Sequence, residues 1–413
     1  MLFAGKFVDW MDTKKGYLWS IGIWSAGAIL HAFCGIATAG IVAGEWTLSF
    51  EGARQAIALV SDVSKVVTVS VSLFVFARLI LAVGEAGNFP AAIKATAEYF
   101  PKKDRAFATS IFNSGATIGA LLAPLTIPFI AKAWGWEMAF IVIGALGFLW
   151  MGVWIFVYEK PEKNKRVSLA ELAYIEQDDS EEGAEMQKDT GAKVTYKQAF
   201  RHRQTWAFAV GKFMTDGVWW FLLFWIPAYL SSVYGLDSTE AAPHIFVVYL
   251  ITMLSIVGGW LPSYFVDKKK MDPYAGRMRA MLIFAFLPLL VLFAQPLGHI
   301  SVWLPVIIIG IAGAAHQSWS ANIFSTVGDM FPKYAVATIT GIGGMAGGVG
   351  SFLINKGSGA LFDYSIETNL RFMGFEGIEA GYFIIFCICA FAYLIGWVIM
   401  KALVPKYELI KEM

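Results

Sequence analysis

The sequence predicts an all-α membrane protein, and three observations carry that expectation. Hydrophobic residues make up 57% of the 413 residues and charged residues only 15%, against about 25% charged in ordinary soluble domains. Ten apolar runs recur along the chain, each near the roughly 20 residues a spanning helix needs. The connections between them alternate between rich and poor in Lys and Arg, the asymmetry that orients a multi-pass protein. A formal net charge of +1 argues against a nucleic-acid partner.

Taken in order, Met1 to Val8 is a short apolar scrap, too short to span, that runs into the polar DWMDTKK. The spanning runs are then Tyr17–Ala39, Thr68–Thr96, Ala106–Ala131, Met138–Val157, Trp206–Val233, Ile245–Val266, Met278–Ala294, Val302–Phe324, Ile339–Asn355 and Ala380–Leu403. Basic residues collect in Asp9–Lys15, Pro101–Arg105, Lys160–Arg203, Asp267–Arg279, at Lys333 and in the tail. The positive-inside rule puts these connections and both termini in the cytoplasm. Gly40–Lys65 falls outside and is expected to hold a short interfacial helix. Lys160–Arg203 falls inside; SLAELAYIEQ within it reads as a short amphipathic helix, followed by an acidic stretch to Gly191. That connection divides the chain into residues 1–158, a linker 159–203, and residues 204–413.

The stretch Arg78–Thr109 organises the reading. It carries Arg78, Glu85, Asn88 and Lys94 in or beside an apolar run, where each ionisable group costs about 2.5–3.5 kcal/mol on insertion scales. Arg78 and Glu85 lie seven residues apart, hence near one helical face, and two such groups on one face predict a shared polar cavity. The stretch also contains EYFPK at Glu98–Lys102, which returns as DMFPK at Asp329–Lys333. FVD at Phe7–Asp9 returns at Phe265–Asp267. Matches in the same order at equivalent connections point to two parallel halves, one known transporter plan. Four spans precede DMFPK in the second half, but only two and the scrap precede EYFPK in the first. The expectation is a first half lacking its first helix and most of its second.

Other chemistry is sparse. Cys34, Cys387 and Cys389 sit in apolar runs and read as buried, reduced thiols. There is no CxxC or HExxH motif, and the five histidines are scattered, so neither a metal site nor a cofactor is expected. No nucleophile–base constellation points to an enzyme, and no ring of like charges or filter sequence points to a channel. Lys212 and Asp216 read as an i,i+4 salt bridge. Gly115 and Gly119, and Gly343, Gly344, Gly347 and Gly348, have the spacing of close helix packing or a flexible gate.

GEAGNFPAAIKATAEYFPKKDRAFATSIFNSGATIGA, VSLAELAYIEQD, GKFMTDGVWWFLLFWIPAYL and HQSWSANIFSTVGDMFPKYAVATITGIGGMAG resemble the anion:cation symporters of the major facilitator superfamily. Within that family they are most similar to bacterial hexuronate transporters. The family's loop motif, Gly-x-x-x-Asp followed by basic residues, stands at Gly5, Asp9, Lys14 and Lys15, with Asp12 where the family usually has Gly. The resemblance implies a major facilitator fold of two pseudo-symmetric six-helix halves. It further implies a non-enzymatic, monomeric secondary transporter of the bacterial inner membrane that takes up a hexuronate with a proton by alternating access. Sodium as the coupling ion, and an aldonate or aldarate as the substrate, are the neighbouring readings. The family also has an acidic–basic pair on its first helix, which the repeat places before Met1; a transport-inactive truncated protein or sensor is the reading from another class.

Symport of a sugar acid needs a cation for the carboxylate, partners for hydroxyls and a proton carrier. Arg78 suits the first, since guanidinium pairs bidentately with carboxylate; the plainer reading has it neutralising Glu85. Glu85 suits the last, because burial raises a carboxyl pKa and a neighbouring Arg lowers it. His316, 231 residues after Glu85, is the repeat equivalent and is expected to face Glu85 as a substrate or proton ligand. Gln317, Asn322 and Asn113 offer polar contacts, with Ser320 beside them. Trp219 and Trp220 offer aromatic faces for a sugar.

Overall fold

A computed structural model of the chain describes residues 2–177 and 194–410. The acidic stretch between SLAELAYIEQ and Gly191 lies outside the described residues. Ten helical segments are long and apolar enough to cross a membrane, and they coincide one for one with the ten runs read from the sequence. The helices are α1 (Leu2–Met11), α2 (Thr13–Val42), α3 (Phe50–Ala58), α4 (Val63–Tyr99), α5 (Arg105–Trp134), α6 (Trp136–Val157), α7 (Leu169–Ile175) and α8 (Tyr196–Ala199). They continue as α9 (Arg203–Tyr234), α10 (Ser238–Thr252), α11 (Ser255–Lys269), α12 (Pro273–Phe286), α13 (Ala294–Gly298), α14 (Trp303–Met330), α15 (Val336–Glu367) and α16 (Ile378–Leu403). A two-stranded hairpin, β1 (Arg371–Phe372) with β2 (Phe375–Glu376), precedes α16.

Contacts divide the chain into two compact units, one holding Phe3–Ala92 and Leu122–Arg166, the other Ile93–Leu121 and Val167–Met413. In the first unit the apolar scrap is helical: α1 buries Gly5 and Val8, and a side chain at Gly16 would strike Val8. Asp12 joins α1 to α2 with φ of 70°, a backbone few side chains adopt, which accounts for Gly at this position in the motif. Its carboxylate offsets part of that cost by accepting from the Thr13 N–H at 2.9 Å and pairing with Lys160 at 3.0 Å. Helix α2 meets α4 through Gly27, Gly84 and Gly87 and α6 through Gly144 and Gly147; at each a Cβ would collide with the facing helix. Small residues of this kind let membrane helices approach without a hydrophobic drive between them.

The expected interfacial helix in Gly40–Lys65 is α3, and it is docked rather than loose. Ala53 and Ala56 pack on Ile36 and Ala39, and the Trp46 ring lies against Gly40. Arg54 of α3 reaches Glu51 at 2.8 Å and the buried Glu137 of α6 at 2.6 Å. Hydrogen bonding to Arg54 holds the Glu51 carboxyl below its usual range.

In the second unit α9 packs on α15 and α16. Gly343 of α15 faces the Phe208 ring, Gly347 the Asp216 carboxylate and Gly350 the Phe213 carbonyl, whereas a Cβ at Gly348 would meet no described atom, so Gly343 and Gly347 of the second glycine cluster are packing positions. Gly115 and Gly119 differ: no described atom would meet a Cβ there. The amphipathic segment of the long connection is α7, capped by Ser168. Its Tyr174 donates to Asp104 at 2.6 Å, and that carboxylate pushes the Tyr174 phenol up. Helix α15 outruns its apolar run by twelve residues because nothing in GSGALFDYSIE forbids helix; it stops where Asn369 adopts φ of 48°.

Candidate functional site

Helix α4 carries Arg78 and Glu85 in the first unit. Both are exposed, and among the described residues neither forms an ion pair. Ser70, Phe74 and Arg78 follow one another at four-residue spacing and share a stripe of the helix. With His31, Val71 and Val75 they line a cavity of about 410 Å³. His31 is held there by Nδ1 bonding to the Gly27 carbonyl at 2.7 Å and by stacking on Phe140 with ring centres 5.0 Å apart. Glu85 lies two turns further along α4, beyond that cavity's lining. Asn88, one turn on, has a buried carbonyl oxygen without a hydrogen-bond partner among the described residues.

The second unit collects the remaining candidates on α5, α9 and α14. His316 is buried on α14, with Nδ1 bonded to the Tyr393 hydroxyl at 2.7 Å. Trp219 of α9 stacks flat on its imidazole, centres 5.1 Å apart and planes within 8°. The two elements therefore fix the histidine ring by edge and by face. One turn before Trp219, Lys212 and Asp216 form the expected salt bridge at 2.8 Å, and the Lys212 ammonium also sits 4.0 Å over the Phe324 ring. Trp220, the next residue on α9, is exposed and stacks on Phe224.

Asn113 of α5 is buried and donates weakly to Ser320 of α14 at 3.4 Å, while its carbonyl oxygen has no partner among the described residues. Gln317 is buried beside His316. Asn322 is committed locally, donating to Ser318 and Gly258 carbonyls at 2.8 and 3.3 Å, with its own oxygen unpartnered. The structure thus joins Trp219 to His316 and Asn113 to Ser320. His316 and Glu85 fall in different units.

A charged cluster that sequence reasoning did not assemble closes one end of the second unit. Asp329, fully buried in the repeated DMFPK, receives Arg277 at 2.5 Å and lies 3.8 Å from Arg105. Arg105 also donates to the Ala97 and Phe100 carbonyls, each at 3.0 Å, and to that of Gly328. Arg277 donates to the Lys102 carbonyl. The repeat itself was the signal, since both copies end a helix at a basic turn. Tyr393 and His31 were missed because a lone Tyr or His in an apolar run reads as packing. Among the described residues no group of His, Cys, Asp and Glu is arranged to hold a metal.

The profile described as Major Facilitator Superfamily matches residues 1–354. A hexuronate transporter of Escherichia coli (strain K12) is 30% identical over 365 residues, covering 87% of this chain and 74% of that protein. A galacturonate transporter of Dickeya chrysanthemi is 32% identical over 212 residues, 51% of this chain and 61% of that protein. Among solved structures, the proton:xylose symporter XylE bound to 6-bromo-6-deoxy-D-glucose matches with a TM-score of 0.66 at 17% identity, over all of this chain and 85% of that one. The fold, the ten apolar helices and the extent of these matches together show that this chain belongs to the Major Facilitator Superfamily and is a multi-pass membrane transporter, not an enzyme.

Proposed function

We propose that the protein takes up a hexuronate or closely similar sugar acid together with a proton, by alternating access, across a bacterial inner membrane. The observation that carries this reading is Arg78: a guanidinium that faces a cavity on a spanning helix and has no ion-pair partner among the described residues, in a chain similar to transporters named for hexuronate and galacturonate. A permanently charged, planar fork in a low-dielectric site is suited to one planar carboxylate. Glu85, on the same spanning helix, exchanges the proton.

His316, Gln317, Asn113 and Asn322 supply hydroxyl partners, and Trp219 and Trp220 supply aromatic faces for the C–H surface of the sugar. The unpartnered oxygens of Asn113 and Asn322 have acceptor capacity to spare. The working form is a monomer, with residues 1–158 and 204–413 as its two bundles, 159–203 as the connection between them, and both termini in the cytoplasm.

The test uses the purified full chain in proteoliposomes. Glu85→Gln is expected to abolish proton-driven accumulation of glucuronate while leaving exchange of labelled for unlabelled substrate in place. Equal loss of both activities, with the protein still folded, refutes the proton-carrier assignment.

A further inference from the structure

The cavity against Arg78 has a second polar wall that the transport reading above leaves unused. His31 of α2 lines it together with Ser70, Phe74 and Arg78 of α4. The imidazole is only 5% exposed, and its orientation is fixed by its neighbours. Nδ1 bonds to the Gly27 carbonyl at 2.7 Å. Phe140 of α6 stacks on the ring with planes within 5°. Phe74 stands beside it with ring centres 6.1 Å apart, and Trp136 packs on both Phe74 and Phe140.

The bond to Gly27 decides what chemistry the ring offers. A carbonyl oxygen only accepts, so Nδ1 carries the proton and the neutral ring keeps its lone pair on Nε2. Nε2 is then an acceptor for an O–H group, whereas Arg78 only donates and takes the anionic end of a ligand. The spacing along α4 suits one molecule touching both. Phe74, the α4 residue beside the imidazole, precedes Arg78 by about one turn, roughly 6 Å of helix axis. Long helical side chains lean toward the preceding turn, which brings the guanidinium toward the level of His31. Ser70 lies a further turn away, and the other walls, Val71, Phe74 and Val75, are apolar.

We propose that His31 is a specificity-determining residue of the Arg78 site: its Nε2 accepts a hydrogen bond from a ring hydroxyl of the substrate. The site thereby selects hydroxylated acids over carboxylates of similar size that have no hydroxyl, because such an analogue forgoes that bond. The proposal rests on the reading of Arg78 as the anchor for the substrate carboxylate. Phe140 is a positioning residue in this arrangement, since its stacking keeps the imidazole edge in place.

The test compares binding of glucuronate and of cyclohexanecarboxylate, a six-membered-ring acid without hydroxyls, to the purified full chain by titration calorimetry. His31→Phe keeps an aromatic ring against Phe140 and removes Nε2. It is expected to weaken glucuronate about fivefold, the loss of one neutral hydrogen bond, and to leave cyclohexanecarboxylate unchanged. Phe140→Leu leaves both binding groups in place but frees the imidazole; a smaller loss, again for glucuronate alone, is expected, and this variant decides the matter if His31→Phe does not fold. Arg78→Ala should weaken both acids, which tests the anchor separately. Equal loss of both acids in His31→Phe, or unchanged glucuronate affinity there while Arg78→Ala weakens it, overturns the role of His31 and leaves the anchor standing. Unchanged affinity for both acids in Arg78→Ala removes the anchor and the proposal with it.

Discussion

Arg78 illustrates how much one side chain decides in a low-dielectric setting. Its guanidinium cannot lose its proton and presents two parallel donors, whereas a lysine ammonium is a point charge that deprotonates more readily when desolvated. Arg78→Ala should therefore weaken glucuronate binding by roughly 2–3 kcal/mol, a factor on the order of 100 in Kd by titration calorimetry. Arg78→Lys should recover only part of that affinity. Unchanged affinity in the alanine variant would remove Arg78 from the carboxylate site. Residues of this kind are legible in the sequence because a charge in an apolar run is costly and stands out. Tyr393 and His31 are not, because their roles arise from what another helix brings beside them: His316 in one case, the Arg78 cavity in the other. Asp12 was legible as a departure from the loop motif, but its positive φ and its two compensating contacts were not.

Helix packing supplies a second set of expectations. Gly347 faces the Asp216 carboxylate and Gly348, its neighbour, faces no described atom. Gly347→Ala should displace the Lys212–Asp216 pair and destabilise the protein by about 1–3 kcal/mol, the usual cost of overpacking, read as a lower melting temperature. Gly348→Ala is the matched control and should be close to neutral; equal effects would contradict this packing of α9 on α15. The Asp329 cluster makes a stronger demand. Asp329→Asn leaves two buried guanidinium groups facing a neutral amide, and breaking a buried charge pair costs on the order of 3–5 kcal/mol. A melting temperature within experimental error of the parent would show that the cluster contributes nothing to stability. The ten spans themselves were legible from apolar length alone. Their ends were not: α15 continues through polar residues that a hydropathy reading assigns to a connection, and the glycines that matter could be separated from those that do not only by the helix facing them.

For the whole molecule, the two copies of the repeated motif have equivalent places: EYFPK spans the end of α4 and DMFPK the end of α14, each running into the basic turn that ends a spanning helix. Family membership makes the protein a transporter, and the similarity to hexuronate and galacturonate transporters directs the choice of substrate. Coupling is a difference between protonation states and is read in transport. The most direct measurement is accumulation of labelled glucuronate in proteoliposomes holding the full chain, with and without an inward proton gradient. Uptake above equilibrium under the gradient, collapsing with a protonophore and absent in Glu85→Gln, is the predicted result. Equal uptake with and without the gradient, or none of any sugar acid by folded protein, would contradict the account.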